Sequence, residues 1–191
     1  GQPEMETVVQ DNMVKLFMGR SSVEEVYEDI KSEIDKIKAA CIVIAELFEE
    51  LEKMIKPGIS TLELDRFAEI YIRDRGGRPA FKGYQIPGLK PFPGTLCTSI
   101  NDCIVHGIPS GKEVLKEGDL IGIDVGVVKD GYYGDAARSF GVGEVSIEAI
   151  RLMEVTEEAL ARGIDAARAG NRVGDISHAI GSYILEQGYF A

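Results

Sequence analysis

The 191 residues are 45% hydrophobic and 28% charged, with Gly 22 and Pro 7, a composition suited to one globular domain with or without an attached arm. Acids outnumber bases 32 to 21, a formal charge of −11, so the chain lacks the basic footprint that nucleic acid or an anionic lipid surface requires. No apolar run approaches the roughly 20 residues that span a bilayer. No basic start followed by an apolar stretch marks a secretory leader, and Cys41, Cys97 and Cys103 are an odd count without zinc-finger spacing. Free thiols in the cytoplasm are therefore expected.

Residues 1–20 have weak periodicity and read as an N-terminal arm, leaving 21–191 as the domain. Ser21 and Ser22 offer an N-cap, with Glu24 and Glu25 in the first turn. From Val23 to Lys56, Ile30, Ile34, Ile37, Cys41, Ile44, Leu47, Leu51 and Met54 step by three or four. That predicts one helix, or two with a break near Lys31 and Ser32, ended by Pro57-Gly58. Its many acids read as a solvated face. Ser60 or Thr61 starts the next helix, whose stripe of Leu64, Phe67 and Ile70 runs to Ile72 before Arg75-Gly76-Gly77 stops it. Arg78 to Pro93 reads as loop, and Leu96 to Ile100 and Cys103 to Val105 as short extended pieces. Leu120 to Val128 and Tyr132 to Val142 read as strands joined by a turn at Lys129-Asp130-Gly131. Helices over Ser146 to Ala169 and Val173 to Gln187, the second capped by Gly188, complete an α+β order.

Asp124 and Asp135 each interrupt an otherwise apolar strand, where an unpaired carboxylate is unfavourable by several kcal/mol. If the turn centres on Lys129 and Asp130, Asp124 faces Asp135 directly. If it centres on Asp130 and Gly131, Asp124 faces Ala137 and Asp135 is its diagonal neighbour. Both registers put the carboxylates on one face, where like charges repel unless they share a proton or a divalent cation. Against this stands a plainer reading, in which the aspartates cap turns or pair with Arg138. His106, in Val105-His106-Gly107-Ile108-Pro109, occupies a loop, where either catalysis or a backbone hydrogen bond would use it. Phe81-Lys82-Gly83-Tyr84, with Phe92 and Cys97, either lines an apolar pocket or packs a sheet edge. His178, mid-helix among polar residues, receives no role.

Several motifs then occur in register. Gly77-Arg78-Pro79-Ala80-Phe81-Lys82-Gly83-Tyr84 precedes Cys97-Thr98-Ser99-Ile100-Asn101-Asp102 and Val105-His106-Gly107-Ile108-Pro109. Glu117-Gly118-Asp119, Ile123-Asp124-Val125-Gly126 and Asp130-Gly131-Tyr132-Tyr133-Gly134-Asp135 follow. From about Lys31 onward the chain closely resembles type I methionine aminopeptidase. The resemblance implies the first half of a pita-bread fold, an antiparallel sheet backed by helices, with two divalent ions (Co, Mn, Fe or Zn) held between the halves. It makes Asp124 a chelating ligand, Asp135 a bridging ligand and His106 the catalytic residue that hydrogen-bonds substrate beside the scissile peptide. It places Phe81, Tyr84, Phe92 and Cys97 at or near the methionine side-chain pocket. The implied reaction is hydrolytic removal of the N-terminal methionine from nascent proteins with a small second residue.

Three departures accompany the resemblance. The family's remaining ligands, a histidine and two glutamates, belong to a second half beyond Ala191, so the 191 residues alone are expected to be inactive. The loop between Tyr84 and Phe92 is longer than in bacterial relatives. Residues 1–30 have no counterpart. A half fold also leaves a sheet edge and an apolar face to be covered by further chain, a second chain, self-association or the arm. Two other functions compete: a non-catalytic pita-bread binding module, which has no need of the carboxylate pair, and a proline-specific dipeptidase, against which the loop around His106 speaks.

Overall fold

The computed structural model describes residues 11–12, 14–16 and 18–190. The expected arm lies partly outside these; within it, residues 11, 12 and 14–16 are helical. The chain divides into two compact units, the first ending at Val142 and the second beginning at Gly143.

The first unit opens with helix α1, Val23–Met54, whose N-terminus is tied by a reciprocal capping box between Ser22 and Glu25. It runs unbroken through Lys31 and Ser32, which are exposed and place no constraint on the helix. Apart from Val26 near its start, its buried residues cluster toward the C-terminal half, at Ala40, Val43, Ile44, Leu47, Phe48 and Leu51. Ile34 and Cys41, expected in that stripe, are exposed.

Helix α2, Thr61–Asp74, follows, and Leu64, Ala68 and Ile72 are its buried apolar residues. Ile70, expected in the same stripe, points to solvent. Ser60 caps the helix, its hydroxyl accepting from the Glu63 N–H while the Glu63 carboxylate accepts from the Ser60 N–H at 2.8 Å. The Ser60 hydroxyl, which also donates to the Glu63 carboxylate at 2.5 Å, and after it the Ser60 N–H, hold the Glu63 carboxyl below its ordinary pKa. The stability so gained is therefore present above the unfolded pKa and lost as pH falls through the lowered one. Ser60→Ala is expected to lower stability by about 1 kcal/mol in urea denaturation at neutral pH, with a smaller difference in acid.

The sheet has four strands: β1 (Arg78–Pro79), β2 (Leu96–Ile100), β3 (Leu120–Lys129) and β4 (Tyr132–Gly141). All pairs are antiparallel. β1 and β2 lie end to end along one edge of β3, and β4 runs along the other. Arg78–Pro79 was expected to be loop; it forms a short strand because Val127 and Val128 extend β3 beyond β2. Cys103 to Val105, expected to be extended, is irregular and exposed, with no strand paired to it among the described residues.

Alternation along β3 sends Ile121, Ile123, Val125 and Val127 to one side, where they join Leu47 and Leu51 of α1 and Leu64 and Ile72 of α2 in a single core. The opposite side of β3 carries Gly122, Asp124 and Gly126. That leaves one face for packing and one that carries the acidic residue.

The second unit is an antiparallel pair of helices, α3 (Ile147–Ala166, N-cap Ser146) and α4 (Val173–Glu186). They approach closely where Gly163 of α3 meets Ile180 of α4. Among the described residues, no helix is long and apolar enough to cross a membrane.

Candidate metal centre

The β3–β4 turn decides the geometry of the two aspartates. Asp130 and Gly131 both have positive φ, 51° and 85°, the backbone of a two-residue turn that matches strand twist. Lys129 pairs with Tyr132, so Asp124 faces Ala137 and Asp135 faces Gly126. The second of the two expected registers is the one found. The aspartates are diagonal neighbours on the face away from α1 and α2.

Arg138 cannot neutralise them. It pairs with Ile123 and so belongs to the helix side, where its guanidinium lies 3.5 Å from Glu52 of α1 and 5.1 Å from the Phe140 ring centroid. Asp124 is half-buried, and its Oδ1 is fully buried with no hydrogen-bond partner. An acceptor left this way costs roughly 1–3 kcal/mol. Burial raises the Asp124 carboxyl above its ordinary pKa, and the negative charge of Asp135 adds to this. His106 and the Val125 N–H act in the opposite sense.

Two hard oxygen donors on one face, one of them orphaned, fit a divalent cation. They are an incomplete set: among the described residues, no group of three or more His, Cys, Asp or Glu could hold a metal ion.

Cys97 of β2 pairs with Asp124 across the ladder and is 5% exposed. Burial first, then the charges of Asp124, Asp135 and Asp65, push its thiol up to about 11, so it lines this face as a neutral group. Phe81 covers the neighbouring position. A Cβ on Gly126 would come 2.7 Å from its ring, so the aromatic edge lies directly over the residue that faces Asp135.

His106 is exposed and has φ 59°, a conformation uncommon for a side-chain-bearing residue and concentrated where loops are constrained. The constraint is Gly107. Its carbonyl accepts from the Thr98 N–H at 2.9 Å and its N–H donates to Ser99 Oγ at 3.3 Å, binding the loop along the free edge of β2.

The Tyr84 N–H donates to the Phe81 carbonyl, and the Phe92 N–H donates to the Tyr84 carbonyl at 2.8 Å, closing the neck of the 84–92 loop. Phe92 is half-buried, while Tyr84 is 66% exposed. The fold thus gathers Phe81, Cys97, Asp124 and Asp135 on one face, with His106 within electrostatic reach of Asp124. The Tyr84 ring stands in solvent.

Asp65 escaped the sequence reading. It is 4% exposed, and its Oδ1 accepts from the Thr95 N–H at 2.6 Å and the Leu96 N–H at 2.9 Å. The available signal was its phase: Thr61, Leu64, Asp65, Ala68 and Ile72 share the buried side of α2, so a carboxylate stands where an apolar residue belongs.

The antiparallel sheet packs on helices and presents an acidic pair from a hairpin, an arrangement compatible with carboxylate ligation of a divalent ion. The chain belongs to metallopeptidase family M24, whose model matches residues 35–191. It is 46% identical over 158 residues to the methionine aminopeptidase of Clostridium acetobutylicum, a match covering 83% of this chain and 61% of that protein. The crystal structure of methionine aminopeptidase from Rickettsia prowazekii superposes with a TM-score of 0.77 at 38% identity, over 82% of this chain and 61% of that one. The prolidase from Pyrococcus furiosus, at 24% identity and a TM-score of 0.72 over 93% of this chain and 52% of that one, shares the fold alone.

The resemblance to methionine aminopeptidases and the pita-bread expectation are therefore borne out. Divalent-metal dependence comes with the family. The chain spans about three fifths of the length of the methionine aminopeptidases it matches.

Proposed function

We propose that this chain carries the first part of a dinuclear methionine aminopeptidase site, which removes the N-terminal methionine from nascent proteins in the cytoplasm. The orphaned, buried Oδ1 of Asp124 beside Asp135 is the observation that carries the reading. Asp124 would chelate one divalent ion (Co, Mn, Fe or Zn) and Asp135 would bridge two. When bound, such ions supply charge stabilisation at the scissile carbonyl and an activated water. His106, lifted from the edge of β2, would hydrogen-bond the substrate beside the scissile peptide. Phe81 and Cys97, with Phe92 and the exposed side chain of Tyr84 at the loop neck, would receive the methionine side chain.

The carboxylate pair disfavours a pure binding module, and identity near 46% to a methionine aminopeptidase favours that substrate class over X-Pro dipeptides. The deciding experiment is turnover by the full-length protein with Mn or Co. Met-Ala-Ser should be cleaved and an X-Pro dipeptide left intact; the reverse preference would refute the reading.

Residues 1–191 alone should bind Mn or Co only weakly and leave Met-Ala-Ser uncut, because two carboxylates do not close a site and no general base is among the assigned residues. Submicromolar affinity by calorimetry, or robust turnover, would contradict this. A second chain or self-association over the outer edge of β4, which pairs with β3 alone among the described strands, belongs to the same proposal and is read by light scattering.

A further inference from the structure

We infer that Asp65 and Glu69 of α2 are positioning residues that clamp the two side chains bordering the carboxylate pair, Cys97 and Phe81, and so set the width of the space between them. That this space receives the substrate's first side chain rests on the aminopeptidase proposal above; the clamp itself does not.

The two tethers leave one helix a single turn apart, on the same side. Asp65 Oδ1 takes the backbone N–H groups of Thr95 and Leu96 at the entry to β2, immediately before Cys97. Glu69 Oε2 takes the Lys82 ammonium at 2.5 Å, immediately after Phe81, while Glu69 Oε1 is steadied by Arg73 at 2.9 Å. α2 is itself fixed, with Leu64, Ala68 and Ile72 fully buried and the Ser60–Glu63 capping box at its start.

One wall is therefore held from its backbone and the other through a charged neighbour, both by carboxylates on one rigid rod. Thr95 and Leu96 are completely buried, so water cannot replace Asp65 as their acceptor without opening the strand. Neither Asp65 nor Glu69 lies on the sheet face that carries Asp124 and Asp135, and a role in the reaction would act through Cys97 and Phe81.

The test begins on the 191-residue chain without metal or substrate. Iodoacetamide labelling of Cys97, followed by peptide mapping, should be about 10-fold faster in Asp65→Ala than in Asp65→Asn, the change expected when a buried donor pair loses about 1.4 kcal/mol of closure; Asp65→Asn keeps an acceptor oxygen and, like Asp65→Ala, lacks the charge that helps raise the Cys97 thiol, so the pair isolates the tether. Glu69→Gln should speed limited tryptic cleavage after Lys82 several-fold, on the order of the loss of one charge-assisted contact, while labelling of Cys97 stays near the wild-type rate. A folded Asp65→Ala chain whose Cys97 labels no faster than in Asp65→Asn would overturn the clamp, as would Glu69→Gln with unchanged cleavage. If Asp65→Ala does not fold, the Glu69→Gln result decides alone.

In the full-length, metal-loaded protein, Glu69→Gln should raise KM for Met-Ala-Ser more than it lowers kcat. Absence of turnover in the wild type would sink the aminopeptidase reading and leave the labelling and cleavage results standing. An unmoved KM alongside faster cleavage would remove the pocket-width role.

Discussion

Asp124→Asn and Asp135→Asn are each expected to make the metal-free chain more stable and the full-length protein inactive. Without a cation, Asp124 is a half-buried carboxylate with an orphaned oxygen and a like charge as its diagonal neighbour. Replacing either charge with a neutral isostere should gain about 1 kcal/mol in urea denaturation with EDTA present. The pH dependence has a definite sign for Asp124. Its folded pKa is raised, so its contribution to stability is present below the unfolded pKa and is lost as pH rises through the folded one. Asparagine does not titrate, so the advantage of Asp124→Asn should be absent in acid, emerge between those two pKa values and persist at neutral pH. Activity should move the other way. If Asp135 bridges two ions as proposed, Asp135→Asn should lower turnover of Met-Ala-Ser by roughly 100-fold or more in the full-length protein. Retention of more than about a tenth of the wild-type rate would contradict bridging.

Gly107→Ala should be the most damaging single methyl group near the site. An added Cβ would lie 2.0 Å from the Thr98 carbonyl oxygen, an overlap that no side-chain rotamer can relieve because both partners are backbone. Either β2 bends or the loop lifts away, losing the Thr98 and Ser99 hydrogen bonds. A stability loss of about 2–4 kcal/mol is expected by chemical denaturation. If the loop lifts, His106 leaves its left-handed conformation and its place near Asp124, and kcat/KM should fall by about 100-fold while Cys97 remains buried. Wild-type turnover and stability together would mean that the loop carries no positional information.

The shared face of the candidate site was legible because strand chemistry is strict. Asp-Gly between two apolar runs requires a tight turn, and once the turn is placed, side-chain parity fixes which residues share the face with Asp124. The same parity assigns Arg138 to the other face, so that alternative was decidable from the chain once the register was known. Helices offered less. Lys31 and Ser32 look like a break because they are polar in sequence, yet α1 passes through them since neither side chain is needed for packing or bars the helix. Cys103 to Val105 had the composition of a strand and lacked a neighbour, a tertiary condition that composition does not carry. Asp65 was hidden for a related reason: its partners are backbone N–H groups about thirty residues away, and a carboxylate on an acidic helix looks solvated until the phase of its neighbours is compared.

The turn at Asp130-Gly131 also decides which genetic accidents the hairpin can absorb. Substitutions along β4 act one side chain at a time, but a register slip of one residue exchanges its two faces along the whole strand. Asp135 would then be turned toward α1, and Arg138 would come round to the side of Asp124. The shifted hairpin would set a guanidinium, rather than a second carboxylate, on the face that now carries the acidic pair. A single codon gained or lost at this spot would thus dismantle the acidic pair without removing any of the residues by which the family is recognised.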